Sequence, residues 1–462
     1  MSVEGLAKAQ QKMRDAGVAE AAIEVFSHYY RQLETGASGL ILEESIEPML
    51  EVPMLDQVDV TDEDADAALD RTVMIKLNGG LATSMGLDRA KTLLEVRDGK
   101  TFLDLIVGQV LTARERYGAR LPLILMNSFR TRQDSLAALA AHPDLPVEGL
   151  PLDFLQNQEP KLTADTLEPV EWPADPTLEW CPPGHGDLYT ALEASGLLDQ
   201  LLEAGFRYAS VSNGDNLGAA PDPRIAGWFA SSGAPYAAEV CHRTVNDRKG
   251  GHLAIRKADG QLILRDTAQT ADDEMHFFTD EHRHPFFHTN NLWFDLQALR
   301  DTLAERDSVL GLPLIKNAKT VDPADKSTPK VIQVESAMGA AIEVFEGATA
   351  ICVDRSRFLP VKTTNELLLV RSDCYRLDDL GRLVATGDST PLVDLDGDHY
   401  KVIKDFDRRV PDAPSLSRAS ALRVKGDFTF GRDVSVVGDV SLTTDEPRTI
   451  PDGTTVDEGW TP

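Results

Sequence analysis

The chain repeats one local pattern: a short apolar run that ends in a polar or glycine-rich turn, followed by a helical segment before the next run. Residues 73–77 form the first run, which Asn78 and Gly79 stop, and residues 121–127 form the second. Between them, residues 103–117 have helical spacing of apolar side chains. The order strand, loop, helix, strand predicts a parallel sheet, because the helix carries the chain back to start the next strand on the same side.

The same pattern returns further along the chain. Residues 206–211 lead into the polar segment 212–216 (Ser-Asn-Gly-Asp-Asn), and residues 236–240 form another apolar run. Open α/β sheets bind ligands where buried strands end in such turns. We therefore expect the functional site at these strand ends.

The two ends of the chain have a different texture. Residues 6–33 place apolar side chains at helical spacing with few breakers, which predicts an amphipathic helix. After Pro391 apolar and polar residues alternate, and Gly-Asp turns at Gly426 and Gly438 lie twelve residues apart. This alternation predicts a short, separate β unit, for which a β-helix is one form.

Charge and cysteine content restrict the partners and the compartment. The chain has 75 Asp and Glu against 46 Lys and Arg, a net charge of -29. Such a chain repels phosphate backbones and anionic lipid, so we expect no nucleic acid and no membrane as partner. No basic leader precedes an apolar stretch, and no run approaches the ~20 apolar residues of a membrane span. The four scattered cysteines fit a reducing compartment, so the prediction is a cytoplasmic protein.

The segment after the first strand is the most informative one. It reads Lys-Leu-Asn-Gly-Gly-Leu at 76–81 and continues to Lys91. A flexible turn after a buried strand can aim backbone N–H groups at phosphate, and glycine allows a close approach. The P-loop pattern is not met, since Ala90 stands before Lys91 where glycine is required, so a P-loop enzyme is disfavoured. A turn that serves only chain reversal is the alternative.

Three other segments are candidates for ligand contact. Residues 182–187 (Pro-Pro-Gly-His-Gly-Asp) form an irregular loop that suits a ligand, or simply carry an ordinary loop histidine. Asp215 can hold magnesium while a nucleotide supplies phosphate oxygens, or can form an Asx turn. The cations within 355–362 form either an anion site or a solvated face.

Other chemistries have weaker support. The histidines at 282, 284 and 288 lack the carboxylate or cysteine spacing of a metal site. Neither the nucleophile elbow of serine hydrolases nor the His-Glu-x-x-His helix of zinc proteases is present.

Taken together, these segments resemble one family in order and spacing. The matching segments are 76–81, 182–187, 212–218, 289–293, 317–320, 333–342 and 360–364. Over roughly 74–375 the chain resembles the UTP–glucose-1-phosphate uridylyltransferases of the eukaryotic type. The resemblance implies an enzyme that joins UTP and glucose 1-phosphate, giving UDP-glucose and pyrophosphate, with Mg²⁺ as cofactor.

The resemblance also implies the architecture. We expect an α/β fold whose catalytic sheet is mixed but mostly parallel, of the Rossmann-like, GT-A nucleotidyltransferase type, followed by a small C-terminal left-handed β-helix. The corresponding domains are an N-terminal helical segment at 1–60, the catalytic domain at 61–390 and the β unit at 391–462. Homo-oligomers formed through the C-terminal domain would be possible.

Site residues carry over position by position. The nucleotide site implied by the resemblance consists of Leu77, Asn78, Gly79, Gly80, Lys91, Gln158, Gly184, Asp215 and Lys362. In it the loop wraps the nucleotide, Gln158 reads the uracil edge and Asp215 holds Mg²⁺. Lys91 contacts the phosphates, Lys362 stabilises charge on the transferring phosphate, and these two lysines are the predicted catalytic residues.

The sugar phosphate would meet a second set of residues, which are His185, Asn213, Gly214, Asn290 and Asp266. Two positions depart from the family pattern. Ala82 stands where glycine is usual, so either the loop does not require a backbone angle reserved for glycine there or the loop is slightly reshaped. Asp266 stands where glutamate is usual, which bears on sugar specificity. Related pyrophosphorylases for other UDP-sugars or UDP-N-acetylhexosamines, and a binding module without turnover, are the alternatives.

Overall fold

The computed structural model describes residues 3–36, 39–244, 247, 250–387 and 389–461. Within these residues lie thirteen α-helices, which in chain order are α1 (Val3–Asp15), α2 (Glu20–Glu34), α3 (Asp62–Asp70), α4 (Phe102–Tyr117), α5 (Arg132–Leu139), α6 (Leu188–Ala194), α7 (Leu197–Glu203), α8 (Pro223–Ser232), α9 (Met275–Phe278), α10 (Leu296–Glu305), α11 (Thr364–Arg371), α12 (Gly397–Tyr400) and α13 (Ile403–Arg409).

The same residues contain twenty-five strands. In chain order they are β1 (Ile46–Pro48), β2 (Thr72–Asn78), β3 (Glu95–Arg97), β4 (Lys100–Thr101), β5 (Leu123–Asn127), β6 (Asp153–Leu155), β7 (Glu159–Pro160), β8 (Leu162–Thr163), β9 (Trp180–Cys181), β10 (Tyr208–Asn213), β11 (Tyr236–His242), β12 (His252–Arg256), β13 (Leu262–Arg265), β14 (Phe286–Asp295), β15 (Ile315–Thr320), β16 (Lys330–Glu335), β17 (Thr349–Cys352), β18 (Tyr375–Leu377), β19 (Leu383–Ala385), β20 (Leu392–Leu395), β21 (Ser415–Lys425), β22 (Phe428–Phe430), β23 (Ser435–Thr443), β24 (Arg448–Ile450) and β25 (Thr455–Val456).

The N-terminal segment is two helices rather than the one predicted. Helix α1 ends at Asp15 and α2 begins at Glu20. Between them Gly17 has a φ of +74°, a left-handed conformation that commonly ends a helix. The apolar spacing continues across this break, so the periodicity alone did not reveal it.

A ten-stranded sheet forms the centre of the described residues, with the order β1-β12-β14-β10-β2-β5-β6 along its main path. Strands β10, β2, β5 and β6 are parallel neighbours. Strand β14 runs antiparallel to β10, β11 and β12. The prediction of a mixed α/β fold with a mostly parallel central sheet is confirmed.

Helices cover both faces of this sheet, because its central strands are apolar on both sides. Met74 on β2 packs in a buried cluster that includes α4 and α8. Its neighbours Val73 and Ile75 belong to the opposite cluster, which includes α6, α7 and α10. Strands buried on both faces are near-continuous apolar runs, which is the pattern that predicted β2 and β5.

The C-terminal residues form smaller parallel sheets. Strands β20, β21, β23 and β25 are successive parallel neighbours, and β22 pairs with β24 in parallel. Gly426, with a φ of +95°, forms the predicted turn after β21. The turn predicted at Gly438 is wrong: this residue lies within β23, opposite a shift in register against β21. A glycine inside a strand often marks such an irregularity.

Two further expectations bear on the chain as a whole. All four cysteines are free and buried. Across the described ranges, no helix combines the length and the apolar character that crossing a membrane would need.

Candidate active site

Parallel strands β2 and β10 lie side by side and end at Asn78 and Asn213, so the loops that follow them meet at one edge of the sheet. A cavity of about 400 Å³ opens there. Ten of the predicted site residues line it, and they are Leu77, Asn78, Gly79, Gly80, Lys91, Gly184, His185, Asn213, Gly214 and Asp215. The structure therefore brings together segments far apart in the sequence, as strand-end sites require.

The glycine loop is fixed by the side chain of Asn78. Its amide donates to Asn127 Oδ1 and to Ser135 Oγ, both at 2.7 Å, and its carbonyl accepts from Thr92 Oγ1. All these groups are buried, so the side chain of Asn78 braces the loop from below. Asn78 therefore has only its backbone groups available to contact a ligand.

Ala82 departs from the family pattern, and its backbone conformation does not require glycine. Its φ is -83°, an angle that any residue adopts, and its side chain is buried. The loop therefore has no need of glycine at this position, which is the first of the two alternatives that the sequence left open.

The amide predicted to read the base is placed differently by the structure. Gln156 lines the cavity, and its Oε1 lies 2.5 Å from where a side chain on Gly79 would begin. Gln158 lines a neighbouring cavity instead, together with Phe129. Two glutamines two residues apart offer the same chemistry, and the sequence pattern alone did not distinguish them.

A buried carboxylate sets the position of this glutamine segment. Asp187 accepts from the backbone N–H of Asn157 at 2.6 Å and from its Nδ2 at 2.8 Å. Burial raises the pKa of Asp187 to about 7, against the effect of the two hydrogen bonds from Asn157, which lower it. The last residue of the Gly-His-Gly-Asp loop thus anchors the neighbour of Gln156.

The loop at 182–187 depends on its glycines for a close backbone approach. Gly184 has a φ of +78°, and a side chain there would begin 2.6 Å from the carbonyl oxygen of Ser336. The backbone N–H of Gly186 donates to that same oxygen at 2.8 Å. His185 Nδ1 accepts from the backbone N–H of Met338 at 2.9 Å, so a neutral His185 carries its proton on Nε2.

The predicted phosphate-binding lysine and the predicted metal ligand contact each other. Lys91 Nζ lies 2.7 Å from Asp215 Oδ2, and both side chains are about one-fifth exposed. The charges of the two groups are therefore mutually neutralised in this structure. A phosphate or a cation entering the cavity would compete for one member of the pair.

Lys362 does not line the cavity but lies on a segment tied to it. The backbone N–H of Val361 donates to the carbonyl oxygen of Asp215 at 3.4 Å, and Pro360 pairs with Asn216. Lys362 itself is exposed. In the part of the chain that the structure describes, its ammonium makes no ion pair.

The cluster of cations at 355–362 is mostly committed to structural pairs. Arg355 makes a two-bond ion pair with Asp247, at 2.6 and 2.7 Å. Arg357 does the same with the fully buried Glu239, at 2.7 and 2.8 Å. The hypothesis of a three-cation anion site is therefore corrected, because only Lys362 keeps its charge available.

Three of the predicted sugar residues, Asn213, Gly214 and Asn290, lie together at the end of β10. The Nδ2 of Asn290 donates to Asn213 Oδ1 at 3.2 Å, and Asn290 adopts a φ of +62°, which asparagine tolerates better than most residues. Gly214 donates its N–H to the carbonyl oxygen of Leu77 at 3.0 Å. Asp266, at the end of β13, lies outside the cavity lining, so its contact with a sugar stays a prediction.

One buried lysine beneath the site, Lys76, has no role assigned to it from the sequence, where it is only the first residue of the segment 76–81. Lys76 on β2 is 0% exposed, and its Nζ donates to Ser212 Oγ at 2.7 Å and to the carbonyl oxygen of Ala219 at 2.8 Å. Burial, with a smaller effect of Arg357, lowers the pKa of Lys76 to about 7. A lysine within the otherwise apolar run 73–77 was the sequence signal that could have identified it.

The structure gives the histidines no metal site. His284 is buried, stacks on His252 with ring centroids 3.7 Å apart, and contacts Glu43. Among the described residues, no group of three or more His, Cys, Asp or Glu could hold a metal ion. A single carboxylate such as Asp215 suits Mg²⁺, which usually binds one or two carboxylates together with substrate phosphates and water.

Comparison with known proteins gives a consistent result. The family model described as UTP–glucose-1-phosphate uridylyltransferase matches residues 23–437. The protein of that name from Musa acuminata is 39% identical over 378 residues, which cover 81% of this chain and 78% of the relative. The one from Saccharomyces cerevisiae is 39% identical, with 81% and 74% covered.

Solved structures agree over nearly the full length. A point mutant of UDP-glucose pyrophosphorylase from Leishmania major, in complex with UDP-glucose, is 42% identical with a TM-score of 0.91 and 99% of both chains covered. UDP-glucose phosphorylase from Trypanosoma brucei is 41% identical with a TM-score of 0.90 and 98% of both chains covered.

Proposed function

The chain belongs to the UTP–glucose-1-phosphate uridylyltransferase family, and we propose on this premise that it transfers the uridylyl group of UTP to glucose 1-phosphate, releasing pyrophosphate. The proposal is supported by one observation. Four separate segments of the sequence line the same cavity, and they are Leu77–Gly80, Lys91, Gly184 with His185, and Asp215. Backbone amides, cations and one carboxylate at a strand end are the groups that a nucleoside triphosphate needs.

The reaction requires alignment of the two reactants and neutralisation of phosphate charge rather than a general base. The second ionisation of a phosphate monoester lies near pH 6, so glucose 1-phosphate is mostly a dianion at neutrality. Its oxygen attacks the α-phosphorus of UTP, the bond from that phosphorus to the bridging oxygen breaks, and pyrophosphate leaves with the electron pair. Holding both reactants in line supplies much of the rate.

Each side chain then has a distinct task. Lys91, released from Asp215, pairs with the phosphates, and Lys362 approaches from its exposed segment to stabilise charge that develops on the transferring group. We assign the contact with the base to the amide of Gln156, which lines the cavity. Asp215 is the residue that would hold Mg²⁺, which when bound neutralises phosphate charge and fixes the phosphate geometry.

The finer architecture belongs to the same proposal. The successive parallel strands after residue 391 support a C-terminal left-handed β-helix, with domain limits near residues 60 and 390. We infer that this unit provides the contacts of any homo-oligomer, and that the enzyme works in the cytoplasm on small-molecule substrates.

A panel of sugar phosphates tests the proposal. The protein is incubated with UTP, Mg²⁺ and either glucose 1-phosphate, galactose 1-phosphate or N-acetylglucosamine 1-phosphate, and pyrophosphate release is followed. We expect glucose 1-phosphate to give by far the highest kcat/KM. A higher value for another sugar would replace the substrate, and no release with any of them would refute the reaction.

A further inference from the structure

The two ends of the loop that follows β10 are joined by the buried amino group of Lys76. Lys76 and Ser212 are direct neighbours on the parallel strands β2 and β10. Lys76 Nζ donates to the Ser212 hydroxyl, just before the loop, and to the carbonyl oxygen of Ala219, just after it. The segment between these two bonds, 213–218, contains Asn213, Gly214 and Asp215.

The middle of this loop is held by a different side chain. Asn216 Oδ1 accepts from the backbone N–H of Gly218 at 3.1 Å and from that of Leu359 at 2.8 Å. Its Nδ2 donates to Asn291 Oδ1 and to the carbonyl oxygen of Arg357, both at 3.1 Å. These bonds fix the loop towards the 357–361 segment, whereas the bonds of Lys76 fix its ends against the sheet.

A lysine is a costly residue to place here. The side chain is fully buried, and its two hydrogen-bond partners are a hydroxyl and a carbonyl rather than a carboxylate. A lysine loses the hydration of its amino group when it is buried, and an apolar side chain of similar length would fill the same space without that loss. The lysine must therefore contribute something that packing alone does not.

We propose that Lys76 is a positioning residue for the sugar-phosphate side of the site: by closing the 213–218 loop it sets where Asn213, Gly214 and Asp215 stand. This inference rests on the proposed function, because those three residues act on the sugar and on the phosphate-bound cation only in that reaction. The base side has further contacts of its own, those of Asn78 and Asp187, which do not involve Lys76.

The test compares two buried lysines. Lys161 is also buried, and its Nζ donates to the carbonyl oxygen of Val321 at 2.8 Å, outside the cavity. The variants Lys76→Met and Lys161→Met each remove one buried ammonium group and its hydrogen bonds. Measurements on each are the Tm, the KM for glucose 1-phosphate with kcat, and the Kd of uridine, which has the base without phosphates.

We expect Lys76→Met to raise the KM for glucose 1-phosphate at least about tenfold, since misplaced donors lose their hydrogen bonds to the sugar. The Kd of uridine should change by less than about threefold, because the base side keeps its contacts. Lys161→Met should lower the Tm with both constants unchanged. Equal weakening of uridine and sugar phosphate by Lys76→Met, or no effect on either, would overturn the inference.

A gentler variant covers the case in which Lys76→Met does not fold. Ser212→Ala removes one of the two acceptors of the ammonium group and leaves the lysine in place. We expect a rise of about threefold in the KM for glucose 1-phosphate, with the Kd of uridine unchanged. An unchanged KM would also reject the inference. A wild-type protein without pyrophosphate release would refute the proposed function instead, so the two failures are distinguishable.

Discussion

The two sides of the cavity are built by different means. The side that we propose meets the base consists of the glycine loop, Gln156 and the loop at 182–187, and close backbone contacts and the hydrogen bonds of Asn78 and Asp187 hold it. The phosphate side consists of Lys91, Asp215 and Lys362, whose contacts are between charges or are absent. The first side is fixed before a ligand arrives, whereas the second must exchange partners when one binds. We therefore expect substitutions on the base side to act on binding and those on the phosphate side to act on rate.

The largest effect is expected on the phosphate side, at Lys362. Lys362→Ala should lower kcat by about a thousandfold, because a cation that meets developing charge acts mainly in the transition state. The Kd of UDP should change by only a few-fold. Steady-state kinetics and calorimetry give the two numbers, with Lys401→Ala, another exposed lysine, as the control. A kcat near that of the wild type would remove Lys362 from the mechanism.

The base side is challenged most directly at Gly184. In Gly184→Ala the new side chain would begin 2.6 Å from the carbonyl oxygen of Ser336, so the backbone must move. We expect the KM for UTP to rise about a hundredfold, as for a displacement of about 1 Å in a binding loop. Gly149→Ala is the control, since Gly149 has a similar φ of +80° and open space around it. If both variants raised the KM equally, backbone strain rather than the contact would be the cause.

The free energy of unfolding should also depend on pH, because Asp187 on the base side has a raised pKa. Its pKa of about 7 in the folded protein exceeds the ordinary value of 3.8, so the folded state binds the proton more tightly. The stabilisation is complete below pH 3.8 and is lost as the pH rises through 7. Between pH 5 and 7 the wild type should lose about 2 kcal/mol of unfolding free energy relative to Asp187→Asn. Denaturant unfolding at each pH measures this, and parallel curves for the two proteins would contradict it.

Because Lys91 pairs with Asp215, we expect loss of this carboxylate to change the affinity for UDP in opposite directions with and without Mg²⁺. Without Mg²⁺, Asp215→Asn should bind UDP about threefold more tightly, because Lys91 is no longer neutralised. With Mg²⁺, the same variant should bind about tenfold more weakly than the wild type, because the metal has lost its carboxylate. Calorimetry with and without EDTA checks both. Weaker binding in both buffers would mean that the pair does not compete with the ligand.

The smallest effect distinguishes the two glutamines. Gln156→Ala should weaken uridine binding about fivefold through the loss of an amide contact, whereas Gln158→Ala should leave it unchanged. Their Kd values for uridine decide between them. A larger loss from Gln158→Ala would restore the sequence-based assignment and would show that the base extends into the neighbouring cavity.

The sequence predicted those features that depend on local pattern. The strands β2 and β5, the helix between them and the convergence of strand ends followed from apolar runs buried on both faces. Features that depend on tertiary partners were missed. Arg355 and Arg357 read as an anion site because Asp247 and Glu239, which neutralise them, lie more than a hundred residues away in the chain. The break at Gly17 and the presence of Gln156 rather than Gln158 in the cavity lining likewise depend on conformation that periodicity does not encode.

The burial of the cysteines has a practical consequence for labelling the protein with a fluorophore near the cavity. Burial raises the pKa of all four thiols, and the thiolate is the form that reacts with maleimides and similar reagents. Phe129 is 60% exposed and lines the neighbouring cavity together with Gln158. In Phe129→Cys a fluorophore would attach to the introduced thiol in preference to the native ones. Ligand-driven movement near the base side could then be followed in real time without first removing any natural cysteine.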